Sequence, residues 1–181
     1  MMNMKSLRNA GRVIVLIGLG SLILSGCSIF QTDSPKACPR VSLLNEAAKM
    51  TQYRDGPGRD LIDVLFEARV HDVNWGCNYA GKRLRVVATI DIIAQSGPAA
   101  KGENVDVPFF VAIIDKAQNI VAKQQFQSEM AFGKVRRRGG VREEIEQIIF
   151  LKENESGADY EIIVGLQLDK AQLQQNRGQR F

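Results

Sequence analysis

Histidine and cysteine are scarce. The 181 residues hold one histidine, His71, and three cysteines, Cys27, Cys38 and Cys77. None of these four lies at the short spacing that zinc sites use, so a transition-metal centre has no ligand set. No Gly-x-Ser-x-Gly turn is present to expose a serine nucleophile. No internal repeat is visible, which sets aside solenoids and propellers. No apolar run approaches the about 20 residues that a membrane-spanning helix needs. Acidic residues are missing altogether from residues 1–26. No resident cofactor or metal is expected.

That acid-free stretch is ordered. Lys5, Arg8 and Arg12 come first, and the twelve residues from Val13 to Leu24 carry no charge. The small residues Ser25 and Gly26 then precede Cys27. A positive segment, a short apolar segment and small residues before a cut site make a secretory signal. An ordinary signal ends in an Ala-x-Ala-like site; here Leu24, Ser25, Gly26 and Cys27 end it. These four resemble the lipobox of bacterial lipoproteins. The resemblance implies cleavage before Cys27, diacylation (palmitate or similar) of its sulfur, and acylation of the new amine. Two or more chains give stable anchoring, at about 0.8 kcal/mol per buried CH₂. Ser28 follows, where the family's inner-membrane retention signal is usually Asp, so the resemblance implies the outer membrane with a periplasm-facing domain. The other reading is a free cysteine in an ordinary signal or short anchor.

Cleavage changes the charge. The net of +4 comes from 24 lysines and arginines against 20 acids. Three of the bases and none of the acids lie in residues 1–26, leaving 21 against 20. The basic excess is therefore no nucleic-acid footprint. The 155 residues that follow the cut (181 less 26) suit one domain with a real core. Residues 27–37 read as a lipidated tether, and ten extended residues reach at most about 35 Å. With Cys27 lipidated, Cys38 and Cys77 remain as an even pair in an oxidising compartment, which predicts a disulfide. Closing a loop of about 40 residues is worth roughly 4 kcal/mol. The alternative is two buried free thiols.

From Arg40 the apolar residues recur mostly with period two, the mark of half-buried strands. Strands are expected over Arg40–Leu44, Lys49–Arg54, Asp63–Val73, Arg83–Gln95, Val105–Asp115, Ile120–Phe132, Val141–Leu151 and Asp159–Leu168. Pro108 hints at an edge or bulge. Polar and glycine-bearing turns separate the strands, among them residues 54–60, 79–82, 97–102, 116–119, 139–140 and 153–158. Seven or eight strands at this spacing predict a single, mainly β, sandwich over residues 38–176. Gly157, Ala158, Asp159 and Tyr160 resemble the tyrosine corner of immunoglobulin-like and fibronectin-III-like domains, which implies that topology. Asp169 and Gln172 form a capping-box pattern that predicts a short C-terminal helix to Asn176, docked by Leu173. Residues 177–181 are expected to fray.

Chemistry is thin. His71 lies on the polar side of its expected strand and is read as a surface histidine. Glu143, Glu144 and Glu146 could pair as acid and base, but Glu144 and Glu146 share a face with Arg142 and read as a solvated charge row. Lys134, Arg136, Arg137 and Arg138 form the one strong basic cluster. It is either an anion-binding loop for lipid phosphates or an acidic partner, or a solvated hairpin turn facing Glu143 and Glu144. The residues Cys38 to Val41, Gly58 to Leu61 and Asp159 to Gln167 resemble small Gram-negative lipoproteins that carry no assigned activity. The expectation is thus a non-catalytic lipid-anchored envelope protein, an interaction or assembly module with an envelope protein partner and no nucleic acid. The alternative is a periplasmic binder of a small ligand, glycan or lipid.

Overall fold

Arg83–Ser96 shows how the sequence makes this fold. Leu84, Val86, Ala88, Ile90, Ile92 and Ala94 are buried, and the residues between them are exposed or half-buried. Only an extended strand with one dry face gives that pattern. The computed structural model describes residues 36–102, 104–132 and 137–178. They contain eight strands and one α-helix: β1 (Arg40–Leu43), β2 (Lys49–Tyr53), β3 (Val64–Ala80), β4 (Arg83–Ser96), β5 (Asn104–Asp115), β6 (Ile120–Ala131), β7 (Arg138–Phe150), β8 (Tyr160–Leu166) and α1 (Lys170–Gly178).

The strands form two four-stranded sheets, ordered β1-β8-β5-β6 and β2-β3-β4-β7. This is the expected β-sandwich. In it β3–β4 and β5–β6 are adjacent hairpins within one sheet each, and β1 runs parallel to β8. Phe109, Leu84, Ile90, Ile92, Ile162 and Leu166 fill the space between the sheets and are fully buried. A second, smaller cluster lies on the outer face of the first sheet, where Phe110 and Ala112 pack against Ala47, Ile163 and Leu168.

Pro108 is not at an edge. It sits in β5, between β6 and β8, but one residue beyond the last β5–β8 pair, Phe109 with Leu166. Its carbonyl accepts the Gln167 N–H at 2.8 Å, so its ring nitrogen faces the same side, where β8 has already ended. Proline has no N–H to return that bond, and the β5–β8 ladder stops at Leu166. The strand expected to end at Val73 instead runs on to Ala80 across a bulge between Val70 and Asp72. Asp63, the first residue of that expected strand, precedes it instead, buried and paired with Arg54 at 2.5 Å.

The helix has its capping box. The Asp169 carboxylate accepts the Gln172 N–H at 2.8 Å, and the Gln172 side chain accepts the Asp169 N–H at 2.9 Å. The helix runs two residues past Asn176, through Gly178. Leu173 is only half-buried. Amides do much of the tethering: Asn176 donates to the Glu46 and Lys49 carbonyls, both at 2.8 Å, and Gln172 to the Thr51 carbonyl at 3.2 Å.

Candidate functional sites

Two long sides of the sandwich hold the sheets together, by different means. On one side, Ser128 on β6 donates to Glu143 on β7 at 2.7 Å, and Gln147 on β7 donates to Gln124 on β6 at 2.9 Å. On the other, Cys38, just ahead of β1, bridges Cys77 on β3 with Cα atoms 5.8 Å apart. That distance suits a disulfide. Tyr79 reinforces it. Its hydroxyl donates to the Ala37 carbonyl at 2.5 Å and accepts the Gly157 N–H at 2.7 Å. Gly157 is needed for this approach, because a Cβ there would lie 2.8 Å from the Tyr79 hydroxyl and closer still to the Ala37 oxygen. Pro39 beside them is fully buried. The chain arriving from residue 36 is thus held by a bridge, a hydroxyl and a buried proline.

The sequence reading singled out Tyr160 for a tyrosine corner. Its hydroxyl instead donates to the Glu155 carboxylate at 2.7 Å, a side chain rather than backbone. Burial pushes the Tyr160 phenol up to about 12, and the neighbouring Glu155 carboxylate adds to the rise. The tyrosine that ties distant backbone segments is Tyr79. Its sequence signal was its place two residues after Cys77, hence on the same strand face.

The carboxylates of β7 do not converge. Glu143 points between the sheets toward Ser128, while Glu144 and Glu146 lie on the exposed face with Arg142. Arg85 donates to Glu146 at 2.6 Å and holds its carboxyl below the ordinary range. Arg142 grips Asp91 with two bonds of 2.7 Å and likewise lowers the Asp91 carboxyl. His71 is exposed at the bulge near Asp91, and no hydroxyl or thiol is hydrogen-bonded to it among the described residues. Stabilised, ion-paired carboxylates of this kind are poor general acids or bases at neutral pH.

Of the basic cluster, Lys134 and Arg136 lie outside the described residues, as do Cys27 and the whole stretch before Lys36. Arg137 and Arg138 do not face Glu143 and Glu144. Arg137 donates to the Gly97 carbonyl at 2.6 Å and Arg138 to the Gln95 side chain at 3.1 Å, so both pin the start of β7 to the end of β4.

A cleft of about 430 Å³ lies beside the disulfide, lined by charged residues such as Arg40, Asp115, Lys116 and Glu161. A shallower one of about 210 Å³ runs between Lys49, Glu67, Arg69 and Arg138 on the second sheet. The space between the sheets is filled by the side chains named above. Among the described residues no three His, Cys, Asp or Glu cluster as metal ligands, and no helix is long and apolar enough to cross a membrane. Two features had no sequence warning. Leu61 and Ile62 project from the loop before β3 with 81% and 68% of their surface exposed. Among the described residues no strand lies along the outer side of the far half of β3.

No protein-family model, curated protein or solved structure matches the chain.

Proposed function

We propose that this chain is a non-catalytic, lipid-anchored envelope protein whose β-sandwich acts as an interaction or assembly module on the periplasmic side of the outer membrane. The observation that carries this reading is the pairing of Cys38 with Cys77. It accounts for two of the three thiols and leaves Cys27, at the end of the lipobox-like segment, as the cysteine free for lipid. A disulfide also belongs in an exported, oxidising setting. The short stretch between Cys27 and the clamp at Ala37 to Pro39 keeps the domain near the lipid surface.

The ion pairing of Glu146 and the placing of Glu143 between the sheets support the non-catalytic part of this reading. The filled interior and the charged lining of the larger cleft favour a contact module over a small-ligand binder, whose pockets are mostly apolar. The test is metabolic labelling with palmitate in a Gram-negative host, followed by membrane separation. The wild-type chain should carry label and sediment with outer membranes. Cys27→Ala should lose label and leave the membrane fraction. Label retained by Cys27→Ala, or none on the wild type, would overturn the reading.

A further inference from the structure

β3 has two unlike halves. Its first half is paired on both sides, with β2 over residues 64–69 and with β4. The last bond on the β2 side runs from the Val70 N–H to the Ala48 carbonyl at 3.0 Å. Beyond it, residues 72–80 pair with β4 alone, and no other backbone bond reaches them among the described residues. The donors and acceptors of their outer edge face outward unmade. An edge of this kind templates the addition of another strand.

Natural sheets blunt exposed edges with lysine, proline, charge or brevity. The other edges carry such devices, β6 with Lys123 and Glu129 among them. β1 and β2 have four and five residues. β7 carries Arg138, Arg142, Glu143, Glu144 and Glu146, and it is tied to β6 by side chains. The outer edge of β3 lacks them beyond Asp72. From Val73 to Gly81 there is neither charge nor proline, and Trp75 stands 46% exposed in the middle.

We propose that this edge pairs antiparallel with the same edge of a second copy of the chain. The choice of a second copy follows from the edge itself. Its single charge, Asp72, lies at one end and so meets the far, uncharged end of its image, without repulsion between like charges. A two-fold axis normal to the sheet keeps Val73, Trp75 and Tyr79 on one side in both copies, so a partly apolar row continues across the joint. Strand parity then requires some residue to face itself, because directly opposed residues point to the same side. The midpoint of 72–80 is Gly76. With the axis there, Gly76 faces Gly76, Trp75 faces Cys77, and Asn74 faces Asn78. A Cβ added at Gly76 meets nothing within 4 Å in the single chain, so there is room to alter the centre.

This inference rests on the reading of the domain as a contact module, but not on lipid at Cys27, which palmitate labelling tests separately. The experiment measures the mass of the full-length chain in mild detergent, at micromolar concentration, by sedimentation. Wild type should be dimeric. Gly76→Lys and Gly76→Glu should each weaken the dimer by about tenfold or more, and an equal mixture of the two should restore it. Asn74→Lys with Asn78→Lys should dissociate it as well, by a change that leaves Gly76 intact. Near-ultraviolet circular dichroism should stay native in every variant. A monomeric wild type would overturn the proposal, whether residues 28–35 or a different protein occupy the edge. A dimer indifferent to all of these changes, or a mixture that fails to re-pair, would overturn it too.

Discussion

The two sheets solve the same problem differently. In the second sheet, β4 buries alternate residues and leaves the others to water. In the first, β5 buries both faces: Val107, Phe109, Val111 and Ile113 point to the other sheet, while Phe110, Ala112 and Ile114 are buried on the outside. The difference lies in what covers each outer face. The turn at Ala47 and the segment through Leu168 lie over the first sheet. The second sheet carries rows of charge instead, with Arg142 on Asp91 and Arg85 on Glu146. A sheet with a cover can spend apolar residues on both sides, whereas one without must alternate.

This contrast can be broken experimentally. Phe109→Ala, which opens a hole between the sheets and removes the stacking with Phe126 at 5.1 Å, should cost the most. We expect about 3–5 kcal/mol in denaturant unfolding. Replacing Cys38 and Cys77 together by serine should cost about 4 kcal/mol, since the closed loop is long. Phe110→Ala on the covered outer face should cost about 2–3 kcal/mol, whereas Val87→Ala on the uncovered one should stay below about 1 kcal/mol. Equal costs at Phe110 and Val87 would erase the distinction between the sheets. Arg142→Ala should have a smaller effect than any of these, because its partnership with Asp91 is solvated and screened.

Acid should expose the smallest effect. Backbone hydrogen bonds hold Asp115, Glu155 and Asp159 below their ordinary carboxyl values of 3.8, 4.5 and 3.8. Lowered folded values mean that the stabilisation is full above the ordinary values and fades as pH falls through the lowered ones. Stability should therefore slope downward below about pH 4. Asp159→Asn should flatten that slope in urea titrations between neutral and acid pH.

The sequence made some of this plain and hid the rest, for physical reasons. β4 was readable because one wet and one dry face leave a clean alternation. The Cys38–Cys77 pair was readable by counting thiols. The full reach of β3 was not, because Val64, Phe66, Ala68 and Val70 keep one phase while Val73, Cys77 and Tyr79 keep the other. The burial of Asp63 depends on Arg54 across a loop, which no local pattern encodes. The work of Tyr79 depends on Ala37 and Gly157, residues 42 and 78 positions away. Arg137 and Arg138 looked like a free basic tip, yet they are partly engaged with Gly97 and Gln95.

The bulge at Val70–Asp72 works as a frame correction in the chain. Up to Val70 the even-numbered positions face the core, and after it the odd-numbered ones do. One surplus residue is absorbed without being read, and the inward phase resumes. Without that absorption Cys77 would point to water, out of reach of Cys38, and both thiols would stay unbridged. Deleting His71 should consequently be tolerated, with the bridge intact, whereas deleting Asn74 should turn Cys77 outward. The oxidation state of this protein is in that sense decided six residues before its cysteine.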